Sequence, residues 1–269
     1  MNTPASHPFC AVAVRQRLTF PKRAAFLLAA LLALPATAQR AGPREGTIDA
    51  SGLAVAFDEN HACPPIASPF ASPTRYDNSR RPIDRFGGRH GGIDLSLKEG
   101  TPLLAVADGE AIAGGEGGLM EGIYLWLRHA PQDSGLPFWT FTKYQHLSAP
   151  PDLKPGTRVK AGQPVGLSGA TGTAGKHYGT AGYPHLHLTT FYGPSGEYEI
   201  KGLSGSMVSA RGAQLDDPLI LYLKDIRELS EVRALPEARR TVRPGIVLDS
   251  GEIIPPNGRT VWPVACRHK

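Results

Sequence analysis

The sequence predicts a mainly β fold built from short strands and many turns. Glycine (31) and proline (25) together supply 56 of 269 residues, and both disfavour helix interiors. Short apolar runs recur between Gly and Pro turns, the pattern of strands bounded by breakers. Hydrophobic residues make up 41% of the chain, enough for a packed core, which excludes a disordered polyelectrolyte.

Read from the N-terminus, a basic stretch from Arg15 to Arg23 precedes the apolar run 24–34. Pro35 and Ala36-Thr37-Ala38 follow. This order of basic, apolar and small residues predicts a secretory signal peptide over 1–38 with cleavage after Ala38. The plainer alternative is a buried core helix. The run is shorter than the roughly 20 apolar residues of a membrane span, so no stable membrane insertion is expected after cleavage. Residues 39–63 read as a polar lead-in.

Between Pro64 and about Leu221, strand-like runs lie at 93–97, 103–106, 123–128, 139–144 and 186–191. Lys98-Glu-Gly-Thr-Pro102 and Lys154-Pro-Gly-Thr-Arg158 form a weak internal repeat of a β-hairpin unit, with a coincidence of turn chemistry as the alternative. One helix is signposted near the C-terminus. Asp217 can cap it, and Pro218 suits its first turn. Leu219, Tyr222, Leu223, Ile226 and Leu229 recur at helical spacing, and Pro236 follows the end. The Pro-rich tail 239–269 reads as irregular.

The formal charge is +5, but residues 1–38 hold Arg15, Arg17, Lys22 and Arg23 and no acid. The remaining chain carries 25 basic and 24 acidic residues, so its balance is +1. No basic stripe of the kind a nucleic-acid footprint needs stands out, and no nucleic-acid partner is expected. Cys10 falls within the leader, leaving Cys63 and Cys266. An even pair in an exported chain predicts a disulfide between them; two unpaired thiols are the alternative.

Chemistry concentrates in the histidines. In His185-Leu186-His187, the two imidazoles of a strand share one face. If Leu186 faces the core, both open outward or into a cleft, where they suit a metal or acid–base work. Two plain surface histidines are the alternative. In His90-Gly-Gly-Ile-Asp94 the glycines argue against a helix. His90 then ends a loop and Asp94 begins a strand. Imidazole, carboxylate and imidazole are the ligand types of a hydrolytic zinc site. His146 and one of the 185/187 pair remain for proton transfer or oxyanion stabilisation. The helical H-E-x-x-H design is absent. His129, His61, His268, Asp216 and Asp217 read as structural or surface residues, and the three tryptophans as packing anchors.

Taken in order, these motifs resemble the M23 metallopeptidases, the lysostaphin/LytM type of peptidoglycan endopeptidase. The likeness covers about 64–221. It rests on Pro64-Pro-Ile-Ala-Ser-Pro-Phe70, His90-x-x-x-Asp94, Gly100-Thr-Pro102 through Gly109, Tyr144-x-His146, Lys160-Ala-Gly162 through Gly166, and His185-x-His187. The resemblance implies Zn2+ held by His90, Asp94 and His187, with His185 and His146 as catalytic histidines and Tyr144 lining the site. It implies a curved antiparallel sheet with the hairpin unit shared with lipoyl domains, to which the C-terminal helix and irregular tail read from the residues are added. It places the peptidase domain at 64–225 and leaves the helix end and tail at 226–269.

Its implied substrate is peptidoglycan peptides, for an exported protein of the periplasm or the extracellular medium. A non-catalytic wall-binding activator of another hydrolase is the alternative reading. The Gly-rich insertion 174–184 departs from the family pattern and reads either as a loop beside the cleft or as a plain solvated surface loop.

Overall fold

Short apolar runs between glycine turns become strands in the structure, a computed structural model that describes residues 46–269 apart from 84, 119, 174–182 and 203. The export signal expected over 1–38, and most of the insertion, lie outside the described residues. The lead-in contributes β1 (Ala54–Val55) and β2 (His61–Ala62). Next come β3 (Ile66–Ser68), β4 (Ile93–Ser96), β5 (Pro102–Leu104), β6 (Gly109–Glu116) and β7 (Ile123–His129). A single helical turn, α1 (Pro131–Ser134), leads to β8 (Trp139–Leu147). Then follow β9 (Arg158–Val159), β10 (Pro164–Leu167) and β11 (His185–Gly193). Three further strands are β12 (Tyr198–Lys201), β13 (Met207–Ala210) and β14 (Gln214–Asp216). The tail adds β15 (Thr241–Val242), β16 (Ile246–Val247), β17 (Ile253–Ile254) and β18 (Arg267–His268).

The central sheet runs β3-β4-β11-β8-β7-β6-β9, with β14 also paired to β11, and its ladders are antiparallel. Period-two alternation gives it two different faces. Leu125, Leu127, Tyr144, Leu186, Leu188 and Tyr192 enter the main core. On the other face, Tyr124, Trp126 and Phe141 form a second cluster, which Tyr198, Val208 and Ala210 of the β12–β13 hairpin pack against. The histidine ends of β8 and β11 project from this second face.

Two expectations near the C-terminus are corrected. The predicted helix is two 3-10 segments, Pro218–Tyr222 and Leu229–Ala234. Asp217 does cap the first, accepting from the Leu219 N–H, and Pro218 takes the first position. Leu223 is then extended, and Asp225 adopts a left-handed backbone (φ 57°), which ends the helical path. An i, i+3 repeat serves a 3-10 turn as well as an α-helix, so Leu219, Tyr222 and Ile226 stay buried and Leu223 and Leu229 partly buried.

The tail is also less irregular than its composition suggests. Val242, Ile246, Leu248, Trp262, Val264 and Cys266 belong to the main core, with Leu53, Val55 and Phe57 of the lead-in packed against it. β1 pairs with β15 and β2 with β18, and a Cys63–Cys266 disulfide sits beside the second pair. Trp262 donates to the Pro64 carbonyl and meets Phe57 edge-on at 5.2 Å.

Candidate metal centre

Antiparallel pairing of β4 with β11 sets Asp94 directly opposite His187, on the same face. Leu95, Leu186 and Leu188 point the other way, fully buried. His90 arrives from the loop before β4. That loop lies against β11: a Cβ on Gly92 would stand 2.3 Å from the Leu188 carbonyl oxygen and 2.9 Å from His187 Nε2. Only glycine permits this approach.

Three ligand atoms converge as a result. His90 Nε2 is 3.0 Å from His187 Nδ1 and 3.1 Å from Asp94 Oδ1, and His187 Nδ1 is 2.7 Å from Asp94 Oδ1. The outer ring nitrogens have partners of their own. His90 Nδ1 lies 3.0 Å from the Pro69 carbonyl, and His187 Nε2 lies 2.9 Å from Thr189 Oγ1. A proton assigned to each outer nitrogen leaves two imidazole lone pairs and a carboxylate oxygen aimed at one another. Such a cluster of acceptors calls for a cation, and two imidazoles with one carboxylate fit zinc.

The two remaining histidines border this set. His185 Nδ1 is 2.8 Å from the Tyr183 carbonyl, and its Nε2 is 3.8 Å from Asp94 Oδ1. His146 Nδ1 is 2.8 Å from the Thr171 carbonyl, with its ring 4.6 Å from that of His185. Each therefore keeps Nε2 free of the carbonyl that anchors it.

Burial lowers the pKa of His146 well below the usual histidine range, with His185 and His187 adding repulsion. Burial also lowers His185 and takes His187 down to about 4, against the pull of Asp94. Burial alone would raise Asp94. The neighbouring His90 and His187 outweigh that and hold its carboxyl well below the carboxylate range. The site thus favours a neutral His187 and an ionised Asp94, the protonation states that ligate metal.

His146 reaches the cleft through a bulge. Ile123 pairs with Leu147 but Tyr124 pairs with Gln145, so His146 is the extra residue, at φ 66°. Gln145 and His146 both line the cleft, and Leu147 returns to the core. This corrects the placing of Tyr144 in the site. Tyr144 is fully buried on the core face, where its hydroxyl donates to the Leu104 carbonyl and accepts from the Val106 N–H. Without the bulge, Tyr144 and His146 would share a face.

Residues that carried no motif also meet here. Arg81 Nη2 donates to Ser68 Oγ at 2.9 Å and lies 3.7 Å from Asp94 Oδ2. Lys143, Thr189 and Trp126 continue the cleft floor away from the metal ligands. The cleft holds about 340 Å³. His129 is structural, buried between the Asp108 carbonyl and Thr142 Oγ1.

Residues 88–196 match the model for peptidase family M23, and the chain carries a domain of that family. The matched segment contains all five site residues. Over 107 residues the chain is 39% identical to "Glycyl-glycine endopeptidase ALE-1" of Staphylococcus capitis, covering 40% of this chain and 26% of that protein. It is 37% identical over 124 residues to an "Uncharacterized metalloprotease" of Haemophilus influenzae (45% and 22%). It is 31% identical over 143 residues to "Cell division protein DipM" of Caulobacter vibrioides (53% and 21%). The chain spans about a quarter or less of the length of these curated relatives. Among solved structures, the catalytic domain of lysostaphin from Staphylococcus simulans is 29% identical, with 48% of this chain and 80% of that one covered and a TM-score of 0.33. No helix among the described residues is long and apolar enough to cross a membrane.

Proposed function

We propose that the chain is an exported zinc endopeptidase that hydrolyses peptide bonds in peptidoglycan stem or cross-bridge peptides. One observation carries this reading. Four imidazoles and a carboxylate converge on one cleft, and each histidine spends one nitrogen on a protein oxygen while the other is left for chemistry. His90, Asp94 and His187 hold the metal. Zinc supplies Lewis acidity, which polarises a scissile carbonyl and makes water acidic near neutral pH. His185 and His146, neutral at that pH, take up a proton at Nε2 and return it to the departing amine. The family match and the endopeptidase named among the relatives support a peptide substrate. Export is supported by the leader composition and by the Cys63–Cys266 disulfide, which suits an oxidising compartment.

Digestion of purified peptidoglycan by residues 39–269, read by mass spectrometry, tests the proposal. New peptide ends that vanish with a chelator and in His187→Ala are expected, and they also name the bond. A non-catalytic wall-binding activator would bind the same material and leave its peptides intact.

A further inference from the structure

The leader accounts for nearly all of the net charge, yet the cleft itself is strongly basic. Among the described residues, Arg75, Arg81, Arg85, Arg89 and Lys143 line it, against two carboxylates, Asp94 and Glu121. Asp94 is already committed to the metal ligands. A bound divalent cation adds further positive charge.

Lys143 has the most unusual setting of the five. Its register partners are Thr189 on β11 and Trp126 on β7, one inward-facing row beyond His187 and Gln145. Two residues along a strand is about 7 Å, the span of two residues of an extended peptide. The side chain is buried, with its residue only 5% exposed. Among the described residues its one carboxylate partner is Glu121 Oε1, at 3.3 Å. The ammonium also stands 5.2 Å from the Tyr124 ring and 5.5 Å from that of Trp126. An ammonium carries three N–H donors, so donor capacity remains on the cleft side. Burial lowers its pKa and Arg85 adds repulsion, while Glu121 pulls the other way.

We propose that this cleft selects peptides bearing a free carboxylate about two residues from the scissile bond, and that Lys143 is the residue that selects it. The reading rests on the cleft being a peptide-cleaving site. The arginines at the mouth draw the anionic peptide in, and Lys143 fixes one carboxylate on the floor. A desolvated ammonium–carboxylate pair discriminates against the neutral amide, which leaves the cation unmatched.

The test uses one peptidoglycan stem peptide in two forms, with free carboxylates and fully amidated. Binding to the zinc-loaded chain is measured by calorimetry and cleavage by mass spectrometry. The expected result is a Kd at least tenfold lower for the free form. That preference collapses in Lys143→Met and survives in Lys143→Arg, with circular dichroism confirming that both variants are folded. Arg85→Gln, at an exposed position, weakens the preference without touching the floor. Equal binding of the two forms by the wild-type chain overturns the proposal, whether or not either is cut. So does a preference that persists undiminished in Lys143→Met, which would assign the carboxylate to the metal or the rim. A lysine serving only the fold would weaken both peptides alike and leave their ratio unchanged. Carboxylate-selective binding without cleavage would uphold the subsite and overturn the endopeptidase reading.

Discussion

His185 and His187 stand two residues apart on β11, and their surroundings give them different work. His187 is locked by Thr189 on one side and turned toward Asp94 and His90 on the other. Among the described residues, the hydrogen-bond partner of His185 is the Tyr183 carbonyl, and its Nε2 stands 3.8 Å from Asp94 Oδ1. His185→Ala should therefore lower cleavage by about 10²–10⁴-fold, the usual span for a lost acid–base group. Initial rates on the peptide found by peptidoglycan digestion check this, and a loss under tenfold would remove His185 from proton transfer. Much of this was legible from residues alone. The i, i+2 spacing placed both imidazoles on one face, and the glycines after His90 marked a close turn into a strand. Lys143 and Arg81 were not legible, because their meaning comes from neighbours on other strands.

At the scale of elements, local signals worked where a side chain's role is set within its own strand. They failed where pairing intervenes. Nothing in Lys143-Tyr144-Gln145-His146-Leu147 marks His146 as the bulged residue, since it is neither Gly nor Asn, the residues that most readily take positive φ. The resemblance implies Tyr144 lining the site, whereas the register around the bulge puts it on the core face. The C-terminal helix failed for another reason: apolar spacing does not separate 3-10 from α geometry.

β7 ends on a histidine with a measurable consequence. His129 is fully buried, and burial lowers its pKa to about 4. The unfolded chain, with a histidine near 6.5, then binds the proton more readily than the folded one. The stabilising effect is complete above about pH 6.5 and is lost as pH falls toward 4, by on the order of 3 kcal/mol. Denaturant unfolding across this window should show the slope, and His129→Gln should flatten it. An unchanged slope in that variant would assign the acid sensitivity to other groups.

At the scale of the molecule, the lead-in and the tail close the fold together. Their contacts link residues some 200 positions apart, which no local pattern reveals. The composition of the tail suggested irregularity, yet Trp262 and Val261 are fully buried. The disulfide joins residues 203 apart in sequence, and the chain-entropy model assigns such a closure about 5 kcal/mol as an upper figure. Cys63→Ser with Cys266→Ser should lower the unfolding free energy by about 2–5 kcal/mol, and a reductant should do the same to the wild type. A denaturation midpoint that does not move would show that packing alone holds the tail.

The central claim is that His90, Asp94 and His187 form one metal site that His185 borders without ligating. Zinc content of the purified chain, measured by inductively coupled plasma mass spectrometry, tests it most directly. One zinc per wild-type chain, one in His185→Ala and none in His187→Ala is the predicted result. Zinc retained in His187→Ala, or lost equally from both variants, would contradict it.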